Sequence, residues 1–328
     1  MSANDGSPFL SVMIPTWNPH PVYLERAIRS ALDQLTIGDE VEIALVDDCS
    51  TRFAPRAFLD ELGIDGVAVH RDAVHRGLAG TWNACVAAAR GRWVHLLHQD
   101  DFVLPGFYRA IRRGIEREPT VAAAFCTSRF VDADGVGWIP THNRDVAPGI
   151  LEDWQRHVFE QLSIQCSAMV VRRDVYETLG GFSAKFRYAL DWDMWKRIAV
   201  RYPIWHHPEP LACYRMHSAS ETARQRADGT HLEEIFRSID HSAALLPPGV
   251  ADEVTRRARS HYSVFAAESA LTVLRSGGSW ADVARQLRIG RNATSTAEII
   301  AAIAKATARS ALRLLTRWQR VDASTSST

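Results

Sequence analysis

The chain has 328 residues with 38 Lys+Arg against 38 Asp+Glu, so its formal net charge is zero and no global field draws it to nucleic acid; no nucleic-acid partner is expected. Hydrophobic residues make up 46% and charged residues 23%, with only 19 Gly and 14 Pro, which excludes disordered and collagen-like chains and leaves a folded protein of about two domains. Five widely spaced cysteines (Cys49, Cys85, Cys126, Cys166, Cys213) without a CxxC pair fit neither a disulfide framework nor a zinc site, the start of the chain lacks the basic and apolar regions of a secretory signal, and no apolar run approaches a membrane span, so a cytoplasmic setting is expected.

Leu10 to Ile14 reads as a buried strand ended by Pro15, followed by the loop Pro15-Thr16-Trp17-Asn18-Pro19. Leu24, Ala27, Ile28, Ala31, Leu32 and Leu35 then recur at helical spacing. Val41 to Val46 is a second strand, stopping at Asp47-Asp48-Cys49-Ser50, and Val67 to His70 a weaker third, leading to Gly77, Gly80 and an Ala-rich helix from about Trp82 to Arg90 with Gly91 as its C-cap. Trp93 to Leu97 ends at His98-Gln99-Asp100-Asp101, and Pro105 opens another helix. Val121 to Phe125 and Ser167 to Val171 read as further strands, separated by a polar loop from Asp132 to Pro148. From about His231 only helical periodicity remains, so residues 1–225 form an α/β domain and 226–328 a helical extension. Polar residues immediately after each strand place the site along one edge of a largely parallel sheet.

Pro15-Thr16-Trp17-Asn18, Asp47-Asp48, Asp100-Asp101 and the stretch from Leu179-Gly180-Gly181-Phe182 to Asp191-Trp192-Asp193, in that order and with Gly77 to Asn83 and Ala89-Arg90-Gly91 between, resemble the family 2 glycosyltransferases. The resemblance implies a GT-A fold, α/β and Rossmann-like with a mostly parallel central sheet flanked by helices, in which about 9–131 binds the donor and about 132–225 the acceptor. It also implies an inverting, metal-dependent transfer of a sugar from a nucleotide-diphosphate donor, UDP- or dTDP-sugar being expected, to a hydroxyl acceptor. Adjacent carboxylates stay ionised beside a cation, and oxygen ligands suit Mg2+ or Mn2+. By resemblance Asp100 contacts the ribose, Asp101 holds the metal, His217 completes the metal shell and Asp191 is the base that takes the acceptor proton. Gln99 and Leu190 stand where many members carry further acids.

At the nucleoside end the resemblance implies that Asp48, a carboxylate acceptor, takes a pyrimidine N3–H and that Asn83 belongs to the nucleotide set, while Trp17 offers a flat face for stacking, Pro15 and Thr16 line the first loop and Arg76 can meet a phosphate. Asp193, two residues from Asp191, points elsewhere on the helix and supports the fold; His70, His75, His206 and His207 have no comparable surroundings. Two other readings stay open: a nucleotidyltransferase, although its Gly-rich, Lys/Arg-bearing loop is missing here, and an inactive nucleotide-sugar-binding module. Lys305, Arg309, Arg313, Arg317 and Arg320 face away from Ile300, Ile303, Ala311, Leu314, Leu315 and Trp318. That basic amphipathic helix fits a peripheral contact with the inner membrane face, a homo-oligomer contact, or packing on its own domain.

Overall fold

The computed structural model describes residues 6–36, 38, 40–140, 146–275 and 277–291. They fall into two compact units divided between Ser220 and Glu221. In the first, chain order runs β1 (Leu10–Thr16), α1 (Pro21–Leu32), β2 (Val41–Asp47), α2 (Pro55–Glu61), β3 (Ala68–Arg71), α3 (Gly77–Ala88), β4 (Trp93–Leu96), β5 (Phe102–Val103), α4 (Phe107–Arg117) and β6 (Ala123–Val131). It continues with β7 (Gly137–Pro140), β8 (Gly149–Ile150), α5 (Trp154–Glu160), a 3-10 turn (Cys166–Ala168), β9 (Met169–Arg172), α6 (Arg173–Leu179), α7 (Leu190–Ala199) and β10 (Ile204–Arg215). The strands form one sheet in the order β3-β2-β1-β4-β9-β6-β10-β5, with β7 on β6 and β8 on β10.

The first four strands of that order run parallel, as βαβ crossovers require. Beyond them β9 is antiparallel to both β4 and β6, and β10 returns parallel to β6 through an irregularity between His207 and Ala212, where Pro208 and Pro210 supply no ladder donors. On α1, Leu24, Ala27, Ile28 and Ala31 are fully buried at the expected spacing, against Val12, Ile14, Ile43 and Leu45 of the sheet.

Three local expectations are corrected. Pro15 lies inside β1, paired with Val46. Met13 O accepts from Leu97 N and Thr16 O from Asp48 N, so alternate residues face alternate neighbours, and Pro15 faces the β4 side just past the end of that ladder, where no donor is needed. Gly91 is not a left-handed cap: α3 ends at Ala88, and Gly91 instead approaches β1 so closely that a Cβ would lie 2.6 Å from Ser11 N. The stretch from Asp132 to Pro148 is not wholly a loop, since β7 pairs antiparallel with β6.

Two halves of this unit are joined by an amide clasp. Asn83 on α3 donates through Nδ2 to Phe182 O (2.9 Å) and accepts at Oδ1 from Phe182 N (2.7 Å), 99 residues away. Gly180 and Gly181 carry φ of +77° and +71° at the end of α6. Arg197 holds this turn by donating to Leu179 O and Gly181 O at 2.8 Å each, while its charge pairs with buried Asp193 at 2.8 Å. Asp193 therefore has the supporting place expected of it.

The second unit contains α8 (Glu221–Asp228), α9 (Thr230–Ala243), α10 (Pro248–Arg275) and α11 (Trp280–Arg291). Leu232, Ile235, Phe236 and Ile239 bury one stripe of α9, and α10 meets α11 closely enough that a Cβ on Gly290 would lie 2.9 Å from Ala266 Cβ. The basic helix around Lys305 to Arg320 lies outside the described residues. Among the described residues no helix is long and apolar enough to cross a membrane.

Asn83→Ala is expected to lower stability by about 1–3 kcal/mol, because it strands the Phe182 backbone groups. Gly181→Ala adds a side chain where φ is positive and a Cβ would lie 2.5 Å from Asn83 Oδ1, so it too destabilises. Since that clash is with Asn83 itself, the double variant should cost less than the sum of the two single ones; urea unfolding of all three checks it.

Candidate active site

Three strand ends meet at the C-terminal edge of the parallel half. At the end of β1, Thr16 is buried and donates to Val46 O (3.3 Å), while Trp17 is 43% exposed and donates from its backbone N to Gln99 Oε1 (2.8 Å). Gln99, which replaces an expected acid, thus ties the loop after β4 to the loop after β1. Asn18, at φ +43°, accepts from Thr51 N and Arg52 N and fixes the loop after β2.

At the end of β2 both carboxylates turn inward. Asp47 Oδ2 accepts from Ser50 N (3.1 Å) and lies 3.4 Å from Arg71 Nη1. Asp48 is 1% exposed; Oδ1 accepts from Arg76 N (2.6 Å) and Oδ2 from Gly77 N (2.9 Å), while His75 Nδ1 lies 2.8 Å from Oδ2 and is hydrogen-bonded to the Asp48 backbone O at 3.3 Å. It thereby satisfies donors at the start of α3, where a helix carries partial positive charge. The Arg76 side chain pairs with Asp72 at 2.9 Å. The Asn83 amide is spent on Phe182.

At the end of β4, Asp100 and Asp101 have opposite fates. Asp101 is fully buried, accepting at Oδ2 from Ser167 Oγ (2.5 Å) and at Oδ1 from Arg215 N (2.9 Å). Asp100 is partly open and meets His217 Nε2 at 2.9 Å. Burial, and secondarily the Asp100 charge, push the Asp101 carboxyl well above the usual carboxylate range, against the pull of Ser167 and Arg215. Burial pushes the His98 imidazole down, with Asp100 opposing. Ligand atoms of His98, Asp100 and Asp101 lie within 4.8 Å of one another, and buried His98 Nε2 has no hydrogen-bond partner among the described residues. His98 packs on Trp82, their ring centroids 4.8 Å apart.

Arg215 frames this cluster. Only 2% exposed, it donates from Nε to Asp100 O (2.9 Å) and from Nη1 to Ala133 O (2.6 Å), with its guanidinium over the Tyr23 ring at 4.3 Å.

Asp191 sits half-buried in the first turn of α7, and burial raises its carboxyl to about 7, opposed by a hydrogen bond from Trp192 N. The 3-10 turn meets the Asp pair through the hydrogen bond of Ser167 to Asp101. Burial pushes the Cys166 thiol well up, and the charges of Asp191 and Asp101 push the same way. Chain positions 101, 167 and 215 are brought together that no local spacing connects. His75, His98 and Ser167 were not singled out from the sequence; the signals within it were His98 three residues before Asp101 and His75 beside Arg76.

The sheet order, the carboxylates at its C-terminal edge and the flanking helices define the GT-A architecture. The chain belongs to glycosyl transferase family 2, whose profile matches residues 11–180, and is a glycosyltransferase. It is 30% identical over 239 residues to Uncharacterized protein MT1568 of Mycobacterium tuberculosis (strain CDC 1551 / Oshkosh), covering 69% of this chain and 73% of that protein. It is 35% identical over 137 residues to the succinoglycan biosynthesis protein ExoO of Rhizobium meliloti (strain 1021), covering 40% of this chain and spanning 37% of ExoO's length. Among solved structures, S. aureus TarS 1–349 in complex with UDP-GlcNAc superposes with a TM-score of 0.61 at 15% identity, over 75% of this chain and 70% of that one. The mannosyltransferase PcManGT of Pyrobaculum calidifontis, in complex with GDP-Man and Mn2+, superposes with a TM-score of 0.58 at 18% identity, over 92% and 87%.

The raised carboxyl of Asp191 has a stability consequence. With a folded value of about 7 against an ordinary 3.8, its burial costs nothing while it is protonated in both states and an increasing amount as pH rises from 3.8 to 7. Asp191→Asn should therefore gain little over the parent at pH 4 and up to a few kcal/mol at pH 8, measured as the difference in urea unfolding free energy.

Proposed function

We propose that this chain is an inverting, metal-dependent glycosyltransferase that moves a sugar from a UDP- or dTDP-sugar to a hydroxyl acceptor, with Asp191 as the base. The observation that carries the reading is the gathering of His98, Asp100 and Asp101 ligand atoms within 4.8 Å at the end of β4, in a unit whose Asp191 opens α7 with its carboxyl raised by burial to about 7. A carboxylate near that value keeps a useful ionised fraction at neutral pH and has a strong pull on a hydroxyl proton.

The residues fit a divalent cation. Asp100 is the more open carboxylate, His98 offers a buried nitrogen without a partner among the described residues, and their ligand atoms cluster with an oxygen of Asp101 within 4.8 Å. Asp100 and His98 would hold Mg2+ or Mn2+, with Asp101 as the buried carboxylate behind them and His217 beside Asp100. A cation bound there would offset the charge of the departing diphosphate. The structural neighbour PcManGT holds Mn2+ with GDP-Man, which supports the cation.

In the reaction proposed, Asp191 orients the acceptor hydroxyl and takes its proton. The acceptor oxygen forms its bond to the anomeric carbon on the face opposite the diphosphate, whose bond to that carbon breaks, and the configuration inverts. Residues 9–131 hold the donor and residues 132–225 shape the acceptor side. Arg215, whose backbone N meets Asp101 and whose side chain meets Asp100 O and Ala133 O, holds the seam between them.

Asp191→Asn is expected to reduce transfer by on the order of 10²-fold or more while UDP affinity stays near that of the parent. In the parent, kcat should fall as pH drops through about 7, where Asp191 gains its proton. Calorimetry of UDP with and without Mn2+ supplies the donor arm, and EDTA should abolish transfer and weaken that binding. Wild-type-like transfer by Asp191→Asn would remove Asp191 as the base.

A further inference from the structure

We propose that the outer face of α11 is a membrane-surface contact, on which Trp280, Arg288 and Arg291 lie against an anionic lipid bilayer. The contact belongs to the helical unit alone and is independent of the donor, the base and the cation assigned above.

The first ground is how α11 divides its residues. Val283, Gln286 and Gly290 are buried, and Gly290 packs so closely on α10 that a Cβ there would lie 2.9 Å from Ala266 Cβ. At about 100° per residue, the opposite side carries Trp280, Ala284, Arg288 and Arg291, all exposed. Asp282, the one acid of the helix, falls outside that side and is occupied by Ser279, whose Oγ donates to its carboxylate at 2.6 Å. The outer side of α11 is therefore aromatic, small and basic, with no acid on it.

The second ground is Trp280. At 74% it is the most exposed large hydrophobic side chain among the described residues. It opens α11 directly after a turn in which Gly277 N and Gly278 N donate to Leu274 O and Val273 O, so the indole is held out on hydrogen-bonded backbone. Leu274, at the other end of the same turn, is 37% exposed. An indole with an apolar body and one N–H donor is suited to the headgroup level of a bilayer, where one part of the ring is dry and the other wet.

The third ground is charge. Among the described residues neither Arg288 nor Arg291 pairs with a carboxylate, whereas Arg285, on a different side of the helix, is held by Glu233 at 2.8 Å. From Val283 to Val321 the sequence carries eight basic residues and one acid, Glu298, in a chain whose net charge is zero. So local an excess of positive charge on a neutral protein fits a negative partner.

These features select the occupant. The outer side of one helix is convex and fits a plane better than it fits a peptide, which needs a groove. A second copy of the chain, related by a two-fold axis through this face, would set arginine against arginine. An anionic bilayer supplies a plane, negative headgroups for the guanidinium groups and an interface for the indole together.

The test is flotation of the full chain with vesicles of phosphatidylcholine alone and of phosphatidylcholine with an equal part of phosphatidylglycerol. The parent should float with the anionic vesicles and not with the neutral ones. It should be released as salt rises from about 0.1 M to about 1 M, where the screening length falls from about 10 Å to about 3 Å. Each basic residue at such a surface changes partitioning about 5-fold, so the double variant Arg288→Gln, Arg291→Gln should partition on the order of 20-fold less. Trp280→Ser should lower partitioning about 10-fold. Undiminished flotation of both variants would put the contact outside α11 and overturn the assignment, as would equal flotation on neutral vesicles or no flotation of the parent. Light scattering without lipid covers self-association: a dimer of the parent that the arginine variant dissolves would mean that a second copy covers this face, which also overturns it. Because the three positions are exposed, thermal unfolding of each variant should match that of the parent, so that a loss of flotation is read on folded protein.

Discussion

The carboxylate of Asp101 is the point on which the rest of the site depends. It is fully buried, and a lone charge there would be costly, yet its two oxygens receive a hydroxyl from the 3-10 turn and a backbone N–H from the end of β10. One side chain therefore joins β4, the turn before β9 and the last strand of the sheet. Asp100 is carried to the surface of that junction by its place in the chain, and Arg215 closes it from outside through the carbonyls of Asp100 and Ala133.

The two Asp pairs follow a common logic. Asp101 and Asp48 both turn inward and meet groups that the fold must satisfy, Ser167 and Arg215 in one case and the start of α3 in the other. What each anchor leaves accessible is its neighbour: Asp100 beside Asp101, and His75 across from Asp48. An acidic pair at a strand end is thus half architecture and half surface, and the exposed half need not be an acid.

Much of this was legible in the chain. Strand–helix alternation, the polar ends of β1, β2 and β4, the burial of α1 through Leu24, Ala27, Ile28 and Ala31, and the fold family all follow from local pattern and ordered motifs. What was not legible depends on partners far away in sequence. Ser167 and Arg215 meet Asp101 across 66 and 114 residues, and Asn83 meets Phe182 across 99, so nothing near Asp101 or Asn83 announces their role. The direction of β9 is set by the same long-range packing, since a run of apolar residues reads alike in either direction. Pro15 misled because a proline usually ends a ladder, and only the early end of the β1–β4 pairing shows that its missing donor costs nothing here. His75 was passed over because histidines are common and its partner, Asp48, lies 27 residues earlier.

The long separations also order the assembly of the molecule in time. Loop closure must be completed before contacts such as Asp101 with Arg215 N, or Asn83 with Phe182, return any stability, so local strand–helix units can form well before the site exists. During synthesis the parallel half, through β4, emerges long before Ser167 and Arg215, and until they arrive the donors to the Asp101 carboxylate are water. The junction at Asp101 therefore closes only when nearly all of the first unit has left the ribosome, and a partly made chain has its strand ends in place without a finished site between them.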